Sequence, residues 1–164
     1  MNPLSESRLV GVHPTLADKV RTLAAMLEPE GIALIVVVGV RSWAAQAAEY
    51  AKGRDAGGNV VDRNAVVTDA PPGHSWHQYG LAVDTAPETP NGTVDWNADH
   101  PQWKRIEAVG TSLGLVSGAF FKRLVDAPHL QLTGRLPVSP DDEARQLFKD
   151  GGGQAVWDAA QLAA

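Results

Sequence analysis

The chain has 164 residues, 44% of them hydrophobic and 20% charged, which suits one soluble α+β domain with a sizeable core. Its net charge of −5, its pI near 5.4 and the lack of any basic run exclude nucleic acid or an anionic surface as the main partner. The absence of cysteine excludes a disulfide framework, a thiolate nucleophile and a thiolate zinc site, so a transition metal would have to be held by His and carboxylate side chains.

Met1 to Val10 carries Ser5, Glu6, Ser7 and Arg8 without an apolar core segment and does not read as a signal peptide. His13-Pro14-Thr15 opens a predicted helix through Leu27, with Leu16, Val20, Leu23, Met26 and Leu27 at helical spacing, and Pro29 and Gly31 end it. Ile32 to Val38 is a β-branched and aliphatic run that predicts a buried strand, and the whole apolar stretch to Val40 is too short to span a bilayer. Ser42 is the candidate N-cap of a second helix that carries Gln46 one turn on and fades at Lys52-Gly53-Arg54. Residues 55–74 read as a loop with a short strand at Ala65 to Thr68, and a loop of that length in a compact domain is usually functional or mobile.

Leu81 to Asp84 predicts a strand, Ala86 to Asp99 a loop, and Pro101 to Leu113 a helix ended by Gly114. Phe120 to Val125 and His129 to Leu132 are candidate strands parted by Ala127-Pro128. Ser139-Pro140-Asp141-Asp142 is a helix start, with Ser139 as N-cap and acids at the positive dipole end. That helix ends at Gly151-Gly152-Gly153, and a last one runs from Gln154 to Leu162. The expected architecture is helices flanking a small, mainly antiparallel sheet. It forms one domain over residues 1–164, with a core at about 10–135 and a C-terminal helical extension at about 138–164.

Two segments carry chemistry. Ser75 to Asp84 holds His77 and Asp84 on either side of Gly80, at the two ends of a turn that runs into a strand. Asp126-Ala127-Pro128-His129 holds a second imidazole and a second carboxylate across a rigid proline. Two imidazoles and a carboxylate are the ligands a catalytic zinc needs with a fourth position open, and an unliganded carboxylate nearby can act as base. Each segment also has a plainer reading, Asp84 as a strand-end Asp and Asp126 as the first residue of a β-turn. His13 and His100 adjoin prolines in polar loops and read as surface residues, and His74 reads as a rim residue or a ligand. Arg41 follows the buried strand and could clamp a carboxylate or an oxyanion, or form a surface ion pair. Trp43, Trp76, Trp96, Trp103 and Trp157 read as core or groove wall, Trp76 being the best candidate for a wall. A P-loop and an H-E-x-x-H helix are both missing.

The order of these motifs resembles the zinc metallopeptidases that include D-Ala-D-Ala carboxypeptidases and L-alanyl-D-glutamate endopeptidases of phages and bacteria. The likeness begins at Gly39-Val40-Arg41-Ser42 with Gln46, Tyr50 and Gly53-Arg54. It passes through Val67-Thr68 and Pro72-Gly73 into S-x-H-x-x-G-x-A-x-D at Ser75 to Asp84, then Trp103, Gly110 and Gly114-Leu115, and ends on D-x-P-H at Asp126 to His129. The tail, Gly151-Gly152 with Ala155-Val156-Trp157, is similar to endolysin-type members. The resemblance implies a hedgehog- and D-Ala-D-Ala-peptidase-like fold, with Zn2+ bound by His77, Asp84 and His129. It implies Asp126 as the base that activates the zinc water, and Arg41 as the group that contacts substrate or polarises the scissile carbonyl. Ser75 supports the site from beside His77, and Gln46 is a weaker candidate for substrate contact.

Two positions depart from the family pattern. Ser117 lies where many members have tryptophan in a G-L-x-W-G-G run, and Gln131 stands where many have Glu. Gln131 could still hold His129, without the negative charge. The expected activity is hydrolysis of peptidoglycan stem peptides, foremost at the L-Ala-D-Glu bond. The alternatives are a D-Ala-D-Ala carboxypeptidase or dipeptidase, and a non-catalytic zinc-containing wall-binding module. The chain is expected to be a monomer without membrane insertion. It would either accumulate in the cytoplasm for release to the wall at lysis or act there as a peptidase.

Overall fold

The computed structural model describes residues 1–122 and 125–162. Nine regular elements build it: α1 (Pro3–Arg8), α2 (Pro14–Leu27), β1 (Leu34–Val38), α3 (Trp43–Ala51), β2 (Ala82–Pro87), α4 (Pro101–Ser112), β3 (Val116–Ser117), β4 (His129–Gln131) and α5 (Asp142–Ala160). The four strands form one antiparallel sheet in the order β1-β2-β4-β3. The fold is α+β, as expected.

Alternation along the strands gives the sheet two different faces. Leu34, Val36, Val83 and Leu130 point to one side and form the main core with Leu16, Val20, Leu23 and Leu27 of α2 and Ile106 and Val109 of α4. The helical positions recur at spacings of three and four, the stripe that a helix buries against a sheet. Met26, counted in that stripe from sequence, is 44% exposed. The opposite face carries Ala82, Asp84 and Ala86 of β2 with His129 and Gln131 of β4, among them the candidate ligands Asp84 and His129.

A bulge in β1 shapes that face. Val36 pairs with Thr85 and Val38 with Asp84, so Val37 is an extra residue directly beside Asp84. The outer edge of β1 is covered by α1, which the sequence did not announce. Ser5 Oγ accepts from Val36 N–H at 3.0 Å and an Arg8 guanidinium nitrogen donates to Val36 O at 2.7 Å, so this stretch of edge is not left open to other strands.

Three other expectations are corrected. Residues 65–68 form no strand; a 3-10 turn, Arg63–Ala65, leads into irregular chain. Phe120, the first residue of the candidate strand 120–125, closes a 3-10 turn, Gly118–Phe120, and residues 123 and 124 lie outside the described residues. The N-cap of α5 is Asp141, whose side chain accepts from Ala144 N–H, and Ser139 precedes it. Gly152 breaks the helical backbone inside α5, in keeping with the two helices expected there. Among the described residues, no helix is long and apolar enough to cross a membrane.

Candidate metal centre

His77 sits in a 3-10 turn, Trp76–Tyr79, that is closed by Gly80 in the left-handed conformation at φ +70°. A side chain at residue 80 would be strained there, and its Cβ would lie 2.5 Å from Gly11 O. The turn is tied to the loop after β1, because Arg41 N–H donates to His77 O and His77 Nδ1 bonds Gly39 O at 2.9 Å. A carbonyl only accepts, so Nδ1 carries the hydrogen and Nε2 faces the cleft with its lone pair.

Asp84 and His129 are directly paired across β2 and β4 and share a face of the sheet. His129 Nε2 meets Gln131 Oε1 at 2.9 Å, and Gln131 Nε2 donates to Val138 O at 2.8 Å. Val138 O accepts only, which fixes the amide orientation and makes His129 Nε2 the protonated nitrogen. His129 Nδ1 is thereby the inward atom. His77 Nε2, Asp84 Oδ1 and His129 Nδ1 end up 3.1, 3.2 and 3.6 Å from one another.

Three acceptor atoms facing each other at such distances need positive charge among them. A tetrahedral zinc with ligands at about 2.0–2.1 Å sets ligand atoms about 3.3–3.4 Å apart, and the three separations bracket that value. The donor set, two imidazoles anchored through their far nitrogens and one carboxylate, fits zinc. Burial alone would raise the Asp84 carboxyl, but the two imidazoles outweigh it and hold the group well below the usual carboxylate range. Burial would lower the His129 imidazole, but its bonds to Asp84 and Gln131 carry it above its ordinary value.

Arg41 stands on the other side of Asp84. One guanidinium nitrogen donates to Asp84 Oδ2 at 3.3 Å and another to Gln46 Oε1 at 3.0 Å. Gln46 is fully buried and donates in turn to Ala70 O. It is a brace for Arg41 and for the cleft wall, and it is out of reach of a substrate. Trp76 reaches the cleft lining only at its edge. It is 2% exposed, packs edge-on against Tyr79 in a second core cluster under α5, and donates from Nε1 to Val138 O. Ser75 lines the cleft beside His77 without capping the turn.

Asp126 and His129 bracket a turn in which Asp126 N–H donates to Gly118 O and His129 N–H to Asp126 O. Gly118 makes the turn possible, because a Cβ there would lie 2.5 Å from Asp126 O and 2.8 Å from His129 Cβ. Burial and the neighbouring Asp84 raise the Asp126 carboxyl above its usual value, against the pull of His129, His77 and Arg41. A carboxyl moved towards neutrality beside a candidate metal site suits a general base.

These groups line a cleft of about 890 Å3 whose walls also include Val67, His74, Trp96, Phe121 and Lys122. His74 lies on the exposed rim next to Arg145, 3.3 Å away, and not among the three inward atoms. His13 caps α2 through Nδ1, and His100 pairs with Asp95 at 3.0 Å; both stand outside the cleft lining. Gly39 O and Val138 O were not anticipated. Backbone carbonyls have no side-chain signature, and only the fold reveals them as the groups that orient the two imidazoles.

An antiparallel sheet with a His-Asp-His set and a half-buried carboxylate lining one cleft defines the class of metallohydrolases. The chain belongs to the VanY D-alanyl-D-alanine carboxypeptidase family, whose model matches residues 10–120. The matched stretch contains His77 and Asp84 and stops before Asp126 and His129. The chain is 30% identical over 128 residues to the peptidoglycan L-alanyl-D-glutamate endopeptidase CwlK of Bacillus subtilis (strain 168), covering 74% of this chain and 73% of that protein. Its fold is similar to the Serratia marcescens L-Ala D-Glu endopeptidase ChiX, with a TM-score of 0.55, 27% identity, and coverage of 93% and 92% of the two chains. It is also similar to a Zn(II) complex of a variant of the vancomycin resistance D,D-pentapeptidase VanY from a VanB-type cassette, with a TM-score of 0.53. That likeness, at 19% identity over 89% of this chain and 83% of the other, concerns the fold.

Proposed function

We propose that this chain is a zinc-dependent peptidoglycan peptidase that cuts the stem peptide at the L-Ala-D-Glu bond, working as one domain. The observation that carries the reading is the trio of inward acceptor atoms, His77 Nε2, Asp84 Oδ1 and His129 Nδ1, with half-buried Asp126 lining the same cleft. The choice of bond is supported by CwlK and ChiX, both named for L-Ala-D-Glu cleavage. The family model, described as a D-alanyl-D-alanine carboxypeptidase, favours a second reading in which terminal D-Ala is released.

His77, Asp84 and His129 would hold the ion, which when bound supplies Lewis acidity that makes water nucleophilic at neutral pH and polarises a carbonyl. Asp126 takes the proton from the attacking water at its carboxylate and returns it to the departing amine. Its raised pKa brings it nearer the working pH, where proton transfer is most effective. Arg41 neutralises Asp84 Oδ2 and leaves Oδ1 directed inward, and the edge of its guanidinium that lines the cleft is available to a substrate carbonyl or carboxylate.

Asp126→Ala should retain zinc and lose roughly 100- to 10,000-fold in kcat, the usual worth of acid-base catalysis, whereas His77→Ala should lose both zinc and activity. Mass spectrometry of digested muropeptides, with metal content measured on the same samples, checks this. Asp126→Ala turning over at the wild-type rate would remove Asp126 from the mechanism. Release of D-Ala alone would replace the endopeptidase by the carboxypeptidase.

A further inference from the structure

Trp96 lines the same cleft as His77, Asp84 and His129, yet it is 61% exposed. Its indole lies nearly parallel to that of Trp103, with centroids 6.2 Å apart and planes 22° apart. Trp103 is buried with Ile35 and Ala86, against Val37 and Val94. Val37 is also a cleft wall, so the stacked indoles continue the surface that leads to Asp84.

The backbone that carries the ring is held in place before any ligand arrives. Asp95 N–H donates to Pro87 O at 2.9 Å and Asn97 N–H donates to Asp95 Oδ1 at 2.9 Å. The second Asp95 oxygen pairs with His100 at 3.0 Å. A ring carried on a pinned backbone loses less freedom on binding, so more of its contact energy survives. Trp103 lies beside the indole and nearly parallel to it. Apolar surface left in water forgoes about 25 cal/mol per Å2, which an occupant of the cleft would recover.

The chemistry around the ring selects the occupant. An extended peptide is normally held by the free backbone groups of a strand edge. Here the neighbouring backbone is already paired with itself, Thr89 N–H to Thr93 O and Asp95 N–H to Pro87 O. What is offered is a flat, exposed indole face on a cleft whose walls also include the polar side chains Thr68, Asp69 and Lys122. A pyranose has the matching form, an apolar C–H face rimmed by hydroxyls and amides.

We propose that Trp96 is the platform for a sugar ring of the glycan strand, so that the enzyme prefers stem peptides still attached to their disaccharide. This rests on the peptidoglycan reading of the site. It is tested by calorimetric titration of the zinc-loaded Asp126→Ala protein with a disaccharide-bearing muropeptide and with the free stem peptide, with and without Trp96→Ala. Removing the ring should weaken the disaccharide ligand roughly tenfold, the worth of one stacked aromatic contact with its buried area, and leave the free peptide unchanged. Trp96→Phe should recover most of the loss, and saturation-transfer NMR on the Trp96-containing protein should find the sugar protons against an aromatic ring. Equal weakening of both ligands, or weakening of neither, overturns the platform. If the wild-type protein cleaves no muropeptide while the Trp96-dependent preference persists, the peptidase reading fails and the platform stands.

Discussion

His129 is oriented through the nitrogen that faces away from the cleft, and Gln131 does this with both ends of one amide. Its oxygen accepts from His129 and its NH2 donates to Val138 O. A glutamate at 131 would keep the first bond and set a carboxylate oxygen against the Val138 carbonyl. The amide is thus the better fit to this neighbourhood, at the expense of the charge that would make His129 a stronger donor. Gln131→Leu should lower zinc affinity by about 10- to 100-fold through loss of ring orientation, as outer partners of metal-bound histidines typically do. A competitive chelator titration measures it, and an unchanged affinity would show that packing alone orients the ring. The four residues His77, Asp84, Asp126 and His129 could be singled out from sequence because their side chains have few structural uses in such company. Gln46 and Trp76 were harder to place, because an amide or an indole suits a cleft wall and a buried brace equally well until its exposure is known.

Among the elements, the register of β2 against β4 is what sets Asp84 opposite His129, and a slip of one residue would turn both away from the cleft. Gly118 holds the turn that follows this register. Gly118→Ala should cost about 1–3 kcal/mol by overpacking and, by displacing Asp126, lower kcat/KM by roughly 100-fold. Gly153→Ala, where a Cβ would meet nothing within 4 Å, is the control and should be neutral to slightly stabilising. Urea denaturation and initial rates on both variants decide it, and wild-type rates in Gly118→Ala would argue against the tight turn. Helix α2 was legible from its stripe at helical spacing, β1 from its continuous aliphatic run, and α3 and α4 from the cap or glycine that bounds them. Helix α1, six residues long, and β3, two residues long, were not. Such short pieces have no period to read. α1 is held by the Asn2 cap and by the bonds of Ser5 and Arg8 to β1.

For the molecule as a whole, the proposed metal would couple to the folding equilibrium. The three inward acceptors repel one another unless a cation sits among them, and zinc bound only by the folded form stabilises it by about 2.7 kcal/mol at 100 times Kd. A domain of this size then gains roughly 5–10 °C in Tm, a gain that a chelator should reverse and that His77→Ala should lack in scanning calorimetry. An identical Tm with and without zinc would count against a resident ion. The Val138 carbonyl gives this coupling its reach. It accepts from Trp76 beside one imidazole and from Gln131 beside the other, and it lies just ahead of α5, the helix that covers the second core cluster. A chain cut short at residue 135 would keep all three candidate ligands and the base, and would still lack the atom that steadies them. With the ion held as proposed, its uptake should depend on chain well beyond the last candidate ligand: a chain nicked before residue 138 would contain the His-Asp-His trio without holding the imidazoles in place.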